Sequence, residues 1–260
     1  MRLRPGRRRP TVRVTQHGDP LDDGLLFVLG WGNKPTHRSV EWLIDRLTYD
    51  GYRVHAVELP TNGWKFEEQY VTPVRAYAVD RDLDLVLSHS TGGLVASHLD
   101  LNVRNVFLSP WWGMRLTGLD RVLYPLVSRV PTTWPFLPAG ISRTDLGEMK
   151  LAEEMRDTPD TVSPAFLQSI RGAQKALPPF RQSDVVFFSP TDRVVDVHTI
   201  GERTPADNLV PYDGGHEFFA SENRERTFTK VRTALEGGPE SFRPVESTST
   251  GVAEQSQPAN

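Results

Sequence analysis

Short apolar runs alternate along this chain with segments in which apolar residues recur at helical spacing. Six runs have the length of a β-strand, and they cover residues 25–29, 52–59, 83–88, 105–109, 184–189 and 208–212. Between the first two runs, apolar residues follow the i, i+3, i+4, i+7 pattern of a helix at Val40, Leu43, Ile44 and Leu47. The alternation is typical of a mostly parallel β-sheet with α-helices on both faces.

Local signals place the ends of three helices. Thr36 and Ser39 are available to cap the start of the first helix, and Gly51 is placed to end it. The stretch T-G-G-L-V-A-S-H-L-D-L, which directly follows Ser90, is predicted as a second helix. The last helix of the chain is predicted over about residues 222–235.

Residues 110–182 interrupt this rhythm, because they are rich in Pro and Trp and contain only helical pieces such as 164–176. We predict that they form a helical insertion over the edge of the sheet. One α/β domain then spans residues 24–236, including the insertion at about 110–182. Residues 1–23 combine an Arg-rich start with the first strand region, and residues 237–260 lack apolar periodicity. We therefore predict a partly disordered N-terminal segment and a disordered C-terminal tail.

The composition narrows the range of functions. The 260 residues include no cysteine, which excludes disulfides, thiolate metal sites and a cysteine nucleophile. The formal net charge is -3, so no nucleic-acid partner is expected from overall charge. No apolar run approaches the roughly 18 residues of a membrane span, and no apolar secretion signal follows the Arg-rich start. We predict a cytoplasmic protein without a membrane span, whose oligomeric state the sequence leaves open.

A candidate nucleophile lies at Ser90, in the segment S-H-S-T-G-G, where an apolar strand passes directly into a helix. The sharp turn of a nucleophile elbow strains its central residue and requires small residues two positions before and two positions after it. Ser88 and Gly92 meet this requirement, although Ser88 replaces the first Gly of the G-x-S-x-G pattern. The alternative is a phosphate-binding or merely tight strand-to-helix turn.

A serine nucleophile needs a base, and the base needs an acid that orients it. The segment V-V-F-F-S-P-T-D-R-V-V-D places Asp192 in a loop just after a late strand. Asp196 is the competing acid, but V-V-D continues toward a helix that turns it away. The segment N-L-V-P-Y-D-G-G-H presents His216 behind two glycines that let its loop bend toward the sheet. His89 adjoins Ser90, and we expect it to support the turn rather than act as base.

Acyl transfer also needs donors for the oxyanion and a pocket for the acyl group. The backbone N–H of Thr91 and that of Trp31, in the segment L-G-W-G-N-K-P, are the candidate donors. An ordinary βα loop with a packed Trp is the other interpretation of G-W-G. In the insertion, Trp111, Trp112 and Trp134 are the candidate substrate-binding residues, predicted to line an apolar pocket. A buried structural cluster would produce the same pattern.

Residues 24–236 resemble the α/β-hydrolase superfamily, and within it the lid-bearing serine esterases and lipases. The resemblance rests on the motifs L-G-W-G, S-H-S-T-G-G, S-P-T-D-R-V-V and G-G-H in that order. It implies a central sheet with helices on both sides, a lid at residues 110–182, and no cofactor or metal. It also implies Ser90, Asp192 and His216 as a catalytic triad. Leu29 stands where many members carry His, and a serine nucleophile disfavours dehalogenase and epoxide-hydrolase chemistry.

The sequence thus predicts a serine hydrolase that cleaves a small-molecule ester or thioester through an acyl-enzyme. Short-chain esters, monoacylglycerols, thioesters and the carbon-carbon bond of a diketone all stay open as substrates. A non-catalytic member of the same fold that binds a ligand or partner is the alternative, since fold does not determine function. The arginines within residues 2–9 could separately anchor the chain on nucleic acid or another acidic surface.

Overall fold

The computed structural model describes residues 11–81, 83–115, 130 and 132–243. Its strands are β1 (Arg13–His17), β2 (Asp23–Val28), β3 (Tyr52–Glu58), β4 (Leu85–His89), β5 (Arg104–Leu108), β6 (Leu137–Pro138), β7 (Thr161–Val162), β8 (Val185–Phe188) and β9 (Leu209–Pro211). Seven of them form one sheet in the order β1-β3-β2-β4-β5-β8-β9, whereas β6 and β7 pair separately.

The large sheet is parallel except at one edge. β1 pairs antiparallel with β3, and every other neighbouring pair is parallel. Each of the six apolar runs forms one of the parallel strands, so the predicted α/β fold class is confirmed. The additional strand, β1, lies in the predicted first strand region. Because the inner strands are covered on both faces, they consist of nearly continuous apolar residues rather than an apolar-polar alternation.

The helices are α1 (Arg38–Tyr49), α2 (Thr72–Val79), α3 (Thr91–Ser97), α4 (Arg143–Leu146), α5 (Ala152–Asp157), α6 (Pro164–Lys175), α7 (Val197–Arg203) and α8 (Arg224–Gly237). The three helices predicted from local signals correspond to α1, α3 and α8. Gly51 follows α1 with a φ of +88°, a left-handed conformation that favours glycine. Within the described ranges, none of the helices combines the length and apolarity needed to traverse a bilayer.

The start of α1 is capped differently from the prediction. His37 occupies the N-cap position without a side-chain hydrogen bond to the helix. The carboxylate of Glu154, in α5, accepts hydrogen bonds from the backbone N of Ser39 at 3.0 Å and from its Oγ at 3.2 Å. An acid from the insertion therefore accepts from one of the free N–H groups at the positive end of α1, where a negative charge is favourable.

The core lies on both faces of the sheet, because successive residues of a strand point to opposite faces. In β2, Leu25 and Phe27 belong to one cluster of buried residues, whereas Leu26 and Val28 belong to the other. α1 and α8 cover the first face, and α2, α3, α6 and α7 contribute to the second. The layered α/β/α arrangement that the sequence predicts is therefore present.

Residues 110–182 connect β5 to β8 and include the short β6-β7 pair together with α4, α5 and α6. The helical piece predicted at 164–176 corresponds to α6, which begins where the Ser163 hydroxyl accepts from the N–H of Phe166 at 3.1 Å. Residues 116–129 and 131 of the insertion lie outside the described residues. In its described part the insertion contains three helices and the two-stranded β6-β7 pair, and its role as a lid stays a prediction.

The residues that follow α8 contradict one prediction. After α8, residues Gly238–Phe242 form a 3-10 helix in which Gly238 and Pro239 are buried. The ring of Phe242 packs edge-on against Phe187 of β8, with centroids 6.4 Å apart. A tail disordered from residue 237 is therefore wrong for the first residues of that segment, because Phe242 extends the core. The prediction for residues 244–260, and that for the Arg-rich residues 1–10, lie outside the described residues.

Candidate active site

Ser90 lies at the carboxyl end of β4, in the turn that leads directly into α3. Its φ of 52° and ψ of -116° are unfavourable for a residue with a side chain and cost about 1–3 kcal/mol. The backbone around it holds this conformation. The N–H of Ser90 donates to Leu108 O at 3.1 Å, and the Ser90 carbonyl accepts from the N–H groups of Gly93 and Trp111, both at 2.9 Å. The turn is therefore the strained elbow that the sequence predicts.

The small neighbours of Ser90 are required by close backbone contact. A Cβ at Gly92 would lie 2.1 Å from the carbonyl oxygen of Val28, so no larger residue fits there without a shift of β2. Ser88 pairs with Val28 in the sheet and is fully buried. Its hydroxyl has no hydrogen-bond partner within the described part of the chain. Ser88 is therefore small enough for the elbow but leaves a buried hydroxyl unsatisfied.

His216 and Asp192 form a buried pair. His216 Nδ1 donates to Asp192 Oδ2 at 2.7 Å, while Asp192 Oδ1 accepts from the N–H groups of Val194 at 2.7 Å and Val195 at 3.1 Å. Burial alone would raise the pKa of Asp192, but His216 and these hydrogen bonds hold that pKa below its usual value. The carboxylate is therefore ionised and oriented. Asp196, the competing acid, instead caps α7 by accepting from His198 N and Thr199 Oγ1.

The second ring nitrogen of His216 is available for chemistry. Its Nε2 is buried and has no hydrogen-bond partner among the described residues. With the proton on Nδ1 and directed at Asp192, a neutral imidazole carries its acceptor lone pair on Nε2. His216 and Ser90 line the same cavity. A histidine in this state can accept a proton from a hydroxyl in that cavity.

Tyr212 and His89 hold the His216 loop through hydrogen bonds to its backbone carbonyl oxygens. The Tyr212 hydroxyl lies 3.0 Å from the carbonyl oxygens of Gly215 and His216 and 2.8 Å from Ser109 Oγ. His89 Nε2 donates to His216 O at 3.4 Å, and the two imidazole centroids are 4.7 Å apart. Burial and the neighbouring His216 lower the pKa of His89 to about 3, so its ring is neutral. This position fits the supporting role expected for His89.

A cavity of about 810 Å³ opens above Ser90 and His216. Most of its wall is apolar and comes from the insertion and the loops after β2, β5 and β8. The apolar lining residues are Trp31, Trp111, Met114, Leu137, Pro138, Ala139, Ile141, Leu146, Val162, Phe166, Leu167 and Val194. This volume and chemistry suit a small molecule with an apolar group.

The three tryptophans predicted to bind substrate are in different places. Trp111 lines the cavity, and its ring centroid lies 6.2 Å from that of Phe166. Trp112 does not line it: the side chain is buried beneath α3, where Nε1 donates to Ser97 Oγ at 2.9 Å. Trp134 is 61% exposed and lies outside the cavity wall. The predicted roles of Trp112 and Trp134 are therefore corrected, because Trp112 packs in the core against Phe107 and Ser97, and Trp134 is mostly exposed to solvent.

The two candidate oxyanion donors border this cavity. Thr91 follows Ser90 at the first position of α3, and Trp31 lies in the loop after β2. Within the described part of the chain, neither backbone N–H donates a hydrogen bond. The indole Nε1 of Trp31 donates to Thr61 O, and its ring stacks on Phe166 with centroids 6.2 Å apart. Leu29, at the position that often carries His, is buried in the core.

Three polar residues that lie beside the site were not identified from the sequence. Asn33, Lys150 and Glu217 are buried and hydrogen-bonded to one another. Asn33 and Glu217 adjoin the G-W-G and G-G-H motifs, which is the signal that could have found them, whereas nothing local distinguishes Lys150. Across the described residues, no cluster of three or more His, Asp or Glu side chains could hold a metal ion.

The fold, the elbow and the ordered motifs define an α/β-hydrolase. Residues 25–229 match the Alpha/beta hydrolase family, and the chain belongs to that family. No curated protein matches the sequence.

Solved structures with the same fold include lipases and an esterase. Paleococcus ferrophilus monoacylglycerol lipase is similar with a TM-score of 0.70 at 16% identity, covering 88% of this chain and 99% of that one. A soluble variant of monoglyceride lipase from Saccharomyces cerevisiae has a TM-score of 0.68 at 12% identity, with coverages of 88% and 97%. An esterase from Exiguobacterium antarcticum has a TM-score of 0.63 at 15% identity, with coverages of 87% and 96%. At these identities the similarity shows the fold alone.

Proposed function

We propose that this protein is a serine hydrolase that cleaves carboxylic esters or thioesters through an acyl-enzyme. The observation that carries the proposal is the buried hydrogen bond of 2.7 Å between His216 and Asp192, together with the cavity that both His216 and the strained Ser90 line. A buried carboxylate that orients an imidazole, beside a serine held at unfavourable angles, is an arrangement that nucleophilic catalysis needs.

In the proposed reaction, Ser90 Oγ attacks the substrate carbonyl while His216 Nε2 accepts the hydroxyl proton. Asp192 holds the proton on Nδ1 and stabilises the imidazolium that forms. The N–H groups of Trp31 and Thr91 donate to the oxyanion of the tetrahedral intermediate. His216 then protonates the leaving alcohol or thiol, which leaves Ser90 acylated. Water attacks the acyl-enzyme while His216 accepts its proton, and His216 returns this proton to Ser90 Oγ as the carboxylic acid is released.

The cavity indicates a substrate with an apolar acyl group. Trp111 and Phe166 line it, and the insertion that supplies much of its wall would act as the lid over the bound acyl chain. The similar structures include a monoacylglycerol lipase, a monoglyceride lipase and an esterase, and ester cleavage by this chain is proposed by analogy with them. We expect a small-molecule ester or thioester that is encountered in the cytoplasm.

Labelling with a fluorophosphonate tests the proposal. We expect the purified protein to be modified at Ser90, the Ser90→Ala variant to stay unmodified, and ester hydrolysis by that variant to fall by about a millionfold, toward the background rate. Ser183→Ala is the matched control, because Ser183 is exposed and lies outside the cavity. A folded wild-type protein that binds apolar ligands yet is never labelled would instead support the non-catalytic alternative.

A further inference from the structure

Lys150 lies in the insertion, between α4 and α5, and its side chain is fully buried. Its Nζ donates to Asn33 Oδ1 at 3.0 Å and to Glu217 Oε2 at 2.8 Å, and it lies 4.0 Å from Glu154 Oε2. A buried ammonium group is costly unless it is both paired and hydrogen-bonded. The proposed reaction uses neither this ammonium group nor Glu217, although Glu217 directly follows the proposed base.

The contacts of Lys150 join the two loops that would carry the chemistry. Asn33 belongs to the loop after β2, which also contains the candidate oxyanion donor Trp31. Glu217 belongs to the loop that carries His216. Asn33 Nδ2 donates to Glu217 Oε1 at 3.0 Å, so the three side chains form a closed set of hydrogen bonds. Lys150 does not line the cavity and therefore acts on its partners rather than on a substrate.

Lys150 also determines which way the Asn33 amide faces. An ammonium group only donates, so it selects the amide oxygen of Asn33 and leaves Nδ2 to donate to Glu217. Nδ2 also lies 3.5 Å from His89 Nδ1. Because His89 Nε2 donates to a carbonyl, its Nδ1 is an acceptor, which matches this orientation of the amide. One cation thus determines the hydrogen bonding around the base and around the elbow.

Backbone contacts fix the same part of the insertion against the His216 loop. The N–H groups of His216 and Glu217 donate to the carbonyl oxygens of Asp145 at 3.0 Å and Leu146 at 2.7 Å. The N–H of Met149 donates in return to Ala220 O at 2.8 Å. Three hydrogen bonds therefore anchor the segment that carries Lys150 to the segment that carries the proposed base.

The other end of this part of the insertion is attached to the start of α1. Glu154 binds the N–H and hydroxyl of Ser39, and Asp157 pairs with His37 at 3.2 Å and with Lys34 at 3.0 Å. Residues 143–157 are consequently attached to both loops. They form a brace between the loops, which we call the α4-α5 brace.

We propose that Lys150 is a positioning residue: it holds the Asn33 loop and the Glu217 loop in register, so that the oxyanion donors and His216 face the same reacting carbonyl. This inference rests on the proposed function. It assigns the α4-α5 brace to the fixed catalytic framework, so any movable part of the insertion lies outside residues 143–157. A shift of about 1 Å between catalytic groups lowers a rate by about a hundredfold, so register of this kind affects kcat more than substrate affinity.

A purely structural role for Lys150 would be to neutralise Glu217. Burial would raise the pKa of Glu217, but the Lys150 ammonium and the hydrogen bonds from Lys150 and Asn33 hold that pKa below its usual value. Removing the ammonium alone leaves a buried carboxylate without its countercharge, which destabilises the protein whatever its role in catalysis. The test must therefore remove both charges together.

The experiment compares Lys150→Met with the double variant Lys150→Met/Glu217→Gln in ester hydrolysis, fluorophosphonate labelling and thermal unfolding. We expect Lys150→Met to lower both Tm and kcat. In the double variant, Tm should recover most of that loss because Glu217 no longer leaves an uncompensated charge, and the buried carboxylate of Glu154 keeps its hydrogen bonds from Ser39 and from the N–H of Leu151. The kcat value, in contrast, should stay about tenfold or more below that of the wild type, with KM changed less than about threefold. Lys65→Met is the matched control, since it removes an exposed lysine-carboxylate pair with Glu68.

A double variant whose kcat returns to within about twofold of wild type would overturn the positioning role and leave only charge neutralisation. Should the double variant not fold, Asn33→Ala decides the question, because it keeps the Lys150-Glu217 pair and removes only the amide between the loops. Wild-type kcat in that variant would equally overturn the proposal. If the wild-type protein itself is not labelled at Ser90, the proposed function fails and this inference fails with it. Labelling of wild type and variants at equal rates rejects the positioning role alone.

Discussion

Asp192 and Asp196 are chemically identical side chains four positions apart, and the backbone gives them different tasks. Asp192 accepts from His216 and from two backbone N–H groups, whereas Asp196 is an N-cap whose carboxylate binds the first turn of α7. The carboxylate of Asp192 is placed to control the tautomer of the His216 imidazole. The carboxylate of Asp196 instead stabilises the start of α7 by about 1 kcal/mol.

Asparagine substitutions separate these two tasks. Asp192→Asn should lower kcat for ester hydrolysis by about ten thousandfold, because an amide donor at this position favours the wrong imidazole tautomer and cannot stabilise the imidazolium. Asp196→Asn, which preserves a good cap, should stay within about twofold of wild type. Steady-state kinetics on one ester, together with circular dichroism to confirm folding, measures both. Equal losses in the two variants would contradict the assignment of Asp192 as the orienting acid.

Among the secondary-structure elements, α6 connects the insertion directly to the cavity, which Phe166 and Leu167 line. Phe166 lies in its first turn, is buried, and contacts the rings of Trp31 and Trp111 at centroid distances of 6.2 Å. The short β6-β7 pair supplies further apolar wall through Leu137 and Val162. We therefore expect these packed elements to set the length of acyl chain that the proposed hydrolase accepts.

Shortening one side chain of this wall should change the preferred substrate. Phe166→Ala enlarges the cavity, so we expect the optimum of kcat/KM across a series of straight-chain acyl esters to move to longer chains, by about tenfold in relative preference. The variant should also lose about 3 kcal/mol of stability, since Phe166 is nearly fully buried. Trp134→Ala is the control, because Trp134 lies outside the cavity wall and should leave the optimum unchanged. An unchanged optimum in Phe166→Ala would show that the acyl group binds elsewhere.

For the whole molecule, buried ionisable groups link stability to pH. His89 is neutral when folded because burial, and then His216, lower its pKa to about 3, whereas an unfolded histidine titrates near pH 6.5. Between these values the unfolded chain binds more protons than the folded one, so the free energy of unfolding falls as pH falls. The depressed pKa values of Asp192 and Glu217 act in the same direction but only below about pH 4.5.

Urea unfolding at two pH values isolates the contribution of His89. Between about pH 7 and pH 5, His89 should reduce the free energy of unfolding by about 2 kcal/mol. The His89→Gln variant lacks this titrating group. Between pH 7 and pH 5, its free energy of unfolding should therefore fall by about 2 kcal/mol less than that of the wild-type protein. His198→Gln is the matched control: the side chain of His198 is 80% exposed, and the variant should retain the wild-type dependence. Identical pH dependence in all three proteins would mean that His89 is not desolvated as the structure indicates.

Much of the fold could be predicted from sequence because its signals are local. A parallel strand buried on both faces must be a short apolar run, and a sharp turn after β4 must have small residues at Ser88 and Gly92, so both patterns appear in adjacent letters. The same holds for α1, whose apolar residues repeat at helical spacing. Sequence reasoning failed where neighbouring residues are of the same type, as for Trp111 and Trp112. Only the packing around each side chain decides whether it faces the cavity or the core.

The sequence by itself therefore determined the α/β architecture, the elbow at Ser90 and the order of the candidate triad, since each rests on periodicity or on residues close together in the chain. Only the tertiary structure decided how distant segments meet. It packed Phe242 against the core and separated Trp112 from the cavity. It also brought Lys150 between Asn33 and Glu217, which are 184 positions apart in the chain. A lysine in the sequence is expected at the surface. Its burial becomes favourable only when folding supplies a carboxylate and an amide from two remote loops.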